Sequence, residues 1–84
     1  MEPDEIRRKV RDIISTMSPA RTPVRTPADR LVDDLGYDSL TFIELSVALE
    51  EEFVMDDIEE ERTAGLRTVA DVEDLIVGLH KPAA

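Results

Sequence analysis

Ser39 stands where a helix is ready to begin, in the stretch LGYDSLTFIEL (residues 35–45), and its hydroxyl is the most suggestive reactive group of the chain. A nucleophilic serine needs a general base within reach and a third group to orient that base. The one histidine, His80, lies in the C-terminal stretch HKPAA, which reads as a frayed tail, and there is no cysteine. Asp38 is a feeble base, because an exposed carboxylate titrates near pH ~4. Self-sufficient serine catalysis is therefore disfavoured, and no residue is assigned a catalytic role. His80 reads as an ordinary exposed side chain rather than a ligand.

Metal chemistry fares no better. DDLGYD (residues 33–38) has the look of a calcium loop, which requires oxygen ligands at its first, third and fifth positions and glycine at its sixth. Setting Gly36 sixth puts Leu31 first and Leu35 fifth, so the pattern fails. The acidic run DDIEEE (residues 56–61) reads as a solvated surface. What Ser39 does offer is a place of attachment. A helix N-terminus presents unpaired amides and a positive dipole end, which suits a phosphate, and Gly36 lets the approaching chain turn tightly. The plainer reading, that Asp38-Ser39 is only a helix cap, stands beside it.

The elements that must position this serine are helical. Pro3, Asp4 and Glu5 suit a first helical turn, and Ile6, Val10, Ile13, Ile14 and Met17 repeat with helical spacing up to Ser18-Pro19. Residues 18–38 form a long connection with Pro19, Pro23 and Pro27 and the near-repeat RTP, its second half anchored by Leu31, Val32 and Leu35. Loops of this length are uncommon in compact domains and are often functional. SLTFIELSVALEEEF gives a second helix with two apolar stripes: Phe42, Leu45, Leu49 and Phe53 on one face, Leu40, Ile43 and Val47 on another. Such a double stripe implies burial on two sides or a face left for a partner.

Residues 54–67 suggest a short third helix anchored by Ile58 and Leu66, with Gly65 near its end. TVADVEDLIVGL gives the last helix, with Thr68 and Asp71 in a capping arrangement and Val69, Val72, Leu75, Ile76 and Leu79 facing inward. The expectation is an all-α, four-helix bundle forming one domain over residues 1–84, with a flexible tail at about 80–84.

Composition sets the remaining bounds. The 84-residue chain has three aromatic residues, Tyr37, Phe42 and Phe53, so the core must be mostly Leu, Ile and Val. Lack of cysteine excludes disulfides and thiolate metal sites and suits a reducing cytoplasm. No apolar run approaches a membrane span, and MEPDEIRRKV lacks the greasy stretch of a signal peptide, so a soluble cytoplasmic monomer is expected. Net charge is -10, and it is unevenly spread. Residues 1–30 hold seven Lys/Arg against five Asp/Glu, a net of +2, and residues 31–84 three against fifteen, a net of -12. That field repels nucleic acid and anionic membranes and draws in basic protein surfaces, besides keeping the chain soluble.

The segment LVDDLGYDSLTFIELSVALEEEF resembles the signature of the acyl carrier protein family, in which D-S-L follows a Leu-Gly pair. Leu35, Gly36, Asp38, Ser39, Leu40, Glu44, Leu45, Leu49, Glu50, Glu51 and Phe53 carry the match, and the resemblance extends over residues 3–79. It implies a bundle of acyl-carrier type with a phosphopantetheine arm on Ser39, taken from coenzyme A by a separate, Mg-using phosphopantetheinyl transferase. The absent cysteine then has a reason, since the working thiol belongs to the arm and carries acyl groups as thioesters.

The resemblance further implies that Leu40, Ile43 and Val47 dock on partner enzymes such as a ketosynthase or acyltransferase, within an acidic rim of Asp38, Glu44, Glu50 and Glu51. Phe42, Leu45, Leu49 and Phe53 would line the core side, where some carriers shelter the acyl chain. Several positions depart from the family's pattern. Thr41 replaces an acid common in fatty-acid carriers, Val54-Met55 replaces a polar residue, and the following segment lacks an Ile-Pro pair and is one residue longer. Gly36-Tyr37-Asp38 is similar to carriers of polyketide pathways. An aminoacyl or peptidyl carrier, and an acidic interaction domain that is never modified, are the alternatives.

Overall fold

The computed structural model describes residues 2–55 and 65–79. Among them are three helices and no strand: α1 (Pro3–Met17), α2 (Ser39–Phe53) and α3 (Val69–Leu79). One isolated antiparallel bridge joins Arg30 to Thr68. The short third helix expected within residues 54–67, with its anchor Ile58, and His80 with the tail lie outside the described residues.

The α1 helix begins with Pro3, whose missing amide costs nothing there, and its Asp4 and Glu5 meet the positive end of the dipole. Ile6, Val10 and Ile14 are buried, and Ile13 and Met17 pack against them from the flank. The helix stops at Ser18, ahead of Pro19. Ser18 is itself buried, and its hydroxyl donates to the carbonyl of Leu35 at 2.7 Å, tying the end of α1 to the chain that leads into α2.

The long connection is held by hydrogen bonds rather than by regular structure. Leu31 and Leu35 are fully buried, as their one-turn spacing predicts. Val32, expected to anchor with them, is 57% exposed. The chain turns at Arg30–Leu35 through Asp34 N to Arg30 O and Leu35 N to Arg30 O bonds, which points residues 31 and 35 inward together and swings residue 32 out.

Two pentads that differ only at their third residue, Arg25-Thr-Pro-Ala-Asp29 and Arg67-Thr-Val-Ala-Asp71, adopt the same local box. Asp29 accepts from the amides of Arg25 and Thr26, and Asp71 accepts from those of Arg67 and Thr68. The two boxes then clasp each other. Val69 N donates to Asp29 O at 3.0 Å, Ala70 N to Pro27 O at 2.8 Å, and Leu31 N to Arg67 O at 2.9 Å. The first amides of α3, which no helical carbonyl can reach, are satisfied by the loop.

On α3 the expected inward face is corrected at two places. Val69, Val72 and Ile76 are fully buried, but Leu75 and Leu79 sit half-buried on the flank. The centre of the stripe is Glu73, 1% exposed. Its carboxylate takes Arg7 Nη1 at 3.2 Å and Arg11 Nε, while Arg7 Nη2 also holds Asp74 at 2.8 Å. A buried carboxylate is tolerable only when paired, and α1 supplies both partners.

The two sides of this clamp are unequal, because Arg7 and Arg11 keep partial access to water and Glu73 does not. Replacing both arginines with Met should therefore lower stability by about 3 kcal/mol, as a stranded buried charge does, while Glu73→Leu should change it by less than about 1 kcal/mol. Urea unfolding of the two variants checks the order.

Candidate functional site

Three residues, Gly36, Tyr37 and Asp38, set the entrance to α2. Gly36 has φ +78, and a Cβ there would lie 3.2 Å from both the Cβ and the amide nitrogen of Ala20. Glycine is thus required twice, for the left-handed backbone and for the close approach of the loop. Tyr37 turns inward, 2% exposed, and its hydroxyl donates to the carbonyl of Ile14 at 2.7 Å. That carbonyl is among the last four of α1, which have no partner within the helix. Burial pushes the phenol well above its ordinary range, so it stays protonated and able to donate. Sequence reasoning missed this role. A lone tyrosine gave no sign of where its hydroxyl would end.

Asp38 is the cap. Its backbone is extended, and its carboxylate accepts from the amide and the hydroxyl of Thr41, both at 2.8 Å. The Thr41 amide, followed by its hydroxyl, holds the Asp38 carboxyl below the usual aspartate value. Thr41, which departs from the family's acid, is therefore the partner that fixes this cap. Ser39 is the first residue of α2 and lies exposed. Among the described residues nothing binds its hydroxyl, so it takes no part in capping.

Along α2 the two stripes separate as expected. Leu45, Leu49 and Phe53 are buried, and Phe42 is half-buried with its ring 5.6 Å from that of Tyr37. Leu40, Ile43 and Val47 are 67%, 60% and 48% exposed, an apolar row beginning beside Ser39. Of the acids assigned to its rim, Asp38, Glu44 and Glu51 are exposed and Glu50 is half-buried. The departures at residues 54 and 55 have separate parts. Val54 ends the helix in left-handed geometry (φ 50, ψ 58), and Met55 folds back against the core. Among the described residues no group of three or more His, Cys, Asp or Glu side chains could hold a metal ion. The DDIEEE run lies outside them.

The model of the family described as "Phosphopantetheine attachment site" matches residues 8–76. The chain belongs to the acyl carrier protein family. It is 41% identical over 68 residues to an acyl carrier protein of Syntrophobacter fumaroxidans, covering 81% of this chain and 83% of the relative. It is 40% identical over 68 residues to one from Clostridium perfringens, covering 81% and 88%. The crystal structure of an acyl carrier protein from Thermotoga maritima superposes with a TM-score of 0.72 at 26% identity, covering 94% of this chain and 91% of that one. The group that this family attaches is phosphopantetheine. Its members carry rather than catalyse, and among the described residues no helix is long and apolar enough to cross a membrane.

The cap chemistry predicts an acid response. Asp38 is held down by Thr41, Asp71 by the amides of Arg67 and Thr68, and Asp29 by that of Arg25. A carboxyl whose folded value is depressed gives its stabilisation in full above the unfolded value and loses it as pH falls through the folded one. Helix content followed by circular dichroism should thus hold down to the ordinary aspartate value of 3.8 and fall below it. Asp38→Asn and Asp71→Asn should each flatten that acid limb. An unchanged limb in both would refute the assignment of the caps.

Proposed function

We propose that Ser39 is the residue on which this chain bears phosphopantetheine, and that the protein delivers acyl groups between biosynthetic enzymes. The observation that carries this reading is the division of labour at the start of α2: Asp38 does the capping, and the neighbouring hydroxyl is left exposed. Transfer from coenzyme A would form an O–P bond at Ser39 as the donor's pyrophosphate bond breaks, with the nucleotide half leaving and the separate transferase accepting the hydroxyl proton. The group fits the residues present. Its phosphodiester would lie at the positive end of α2, and the carboxylate beside it is already engaged by two donors of Thr41. When bound, the arm supplies a thiol that holds acyl groups as thioesters, the function that a chain without cysteine lacks.

Among the described residues none supplies a general base to Ser39, and this reading takes the chain as a carrier acting with separate enzymes. In this reading Leu40, Ile43 and Val47 meet an apolar patch on each partner, and Asp38, Glu44, Glu50 and Glu51 face its basic border. The partners are a phosphopantetheinyl transferase and then ketosynthase- or acyltransferase-type enzymes of fatty-acid or polyketide synthesis. The full domain is read as a four-helix bundle.

Incubation with coenzyme A and a promiscuous phosphopantetheinyl transferase should raise the mass by one phosphopantetheine, and Ser39→Ala should gain nothing. A wild-type chain that stayed bare would favour the unmodified interaction domain instead. The acidic rim makes a second claim. The kcat/KM of that transferase for this chain should fall by about tenfold between roughly 20 mM and 500 mM salt, because steering by exposed charges is screened. Ile43→Ser should lower it further without loss of fold, since Ile43 is 60% exposed.

A further inference from the structure

Tyr37, the bulkiest fully buried side chain among the described residues, lies two residues before Ser39. It bridges the start of α2 and the end of α1, donating to Ile14 O at 2.7 Å, with its ring tilted 48° against that of Phe42. Phe42 is itself one helical turn beyond Ser39. Further along α2 from Ser39, on the same face as Phe42, lie Leu45 and Leu49, 2% and 3% exposed, in one cluster with Ile14, Leu31 and Leu35. The end of the core nearest Ser39 is thus filled by a ring that a polar bond holds in place.

An acyl chain tethered at Ser39 would gain by leaving water, roughly fourfold in equilibrium constant for each methylene buried. To pass this ring toward Leu45 and Leu49, however, it would displace an aromatic side chain from a close-packed interior. It must also strip the Ile14 carbonyl of its hydroxyl partner in a place where water cannot replace it. Both costs fall on the first methylenes to enter, before most of the gain is realised.

We infer that Tyr37 is a specificity-determining residue that bars acyl cargo from the core. Cargo then remains on the surface, exposed to solvent and to partner enzymes. Such a carrier suits short or oxygen-bearing acyl groups, which gain little from shelter, over long saturated chains. The inference rests on the proposal that Ser39 bears the arm.

The test loads acetyl or octanoyl phosphopantetheine onto wild type, Tyr37→Phe and Tyr37→Leu, using the corresponding acyl-coenzyme A and a promiscuous transferase, with each load verified by mass. The readouts are the methyl resonances of Ile14, Leu45 and Leu49 and the thermal midpoint, since a buried chain stabilises only the folded state. In wild type the two loads should give the same methyl spectrum and the same midpoint. In Tyr37→Leu, octanoyl should shift those methyls and raise the midpoint above the acetyl form. Tyr37→Phe keeps the ring but frees Ile14, and should show a smaller change in the same direction.

Octanoyl-dependent shifts in wild type would overturn the inference, as would folded variants that exclude octanoyl equally well. Should neither variant fold, the wild-type comparison still decides whether cargo is barred. Failure of every chain to take up the arm is a different outcome, read by mass alone, and it would overturn the carrier proposal along with this inference.

Discussion

The carboxylate of Asp38 carries more of this structure than its exposed position suggests. By accepting both donors of Thr41 it starts α2 at a defined residue and with a defined rotation. Rotation is what matters. It sends Leu45, Leu49 and Phe53 into the core, turns Leu40, Ile43 and Val47 outward, and leaves Ser39 at the rim of the first turn. Were Ser39 itself the cap, its hydroxyl would be occupied by a backbone amide and α2 would begin one residue later.

Around that cap the remaining chain acts as a brace. Ser18 and Ala20 both reach the carbonyl of Leu35, and the Gly36 backbone lies against Ala20, so the loop cannot drift from the start of α2. The Arg7–Glu73–Arg11 group fixes α3 on α1. Residues far apart in the chain therefore converge on one short stretch, 35–39, whose conformation they determine together. The rigid support lies inside, and the face beginning at Ser39 stays open.

Much of this is legible in the sequence, and the places where it is not are instructive. The described helices follow from apolar spacing, and their ends from Pro3, Ser18-Pro19 and the Thr68–Asp71 box. Asp38 and Ser39 are equally good caps by residue type, so only geometry chooses between them. Position 73 falls on the inward stripe of α3, yet glutamate reads as surface. Its burial depends on Arg7 and Arg11, separated from it by 66 and 62 residues, which periodicity cannot register. Val32 shares its hydropathy with Leu31 and Leu35, and the turn alone excludes it. The pentads beginning at Arg25 and Arg67 are present in plain letters, masked by the shorter RTP echo in the loop.

The clasp between those pentads also bears on how the molecule comes to be folded. The opening amides of α3 are bonded to carbonyls some forty residues earlier, and the α1–α3 ion pairs close an even longer span. A helical protein normally assembles quickly because its contacts are local, whereas closure of long loops must be accomplished before distant contacts reward it. The last helix of this chain cannot be completed as an autonomous unit. Two of its opening amides find their acceptors only on the proline-rich crossing, so long loops must close before its first turn is fully bonded.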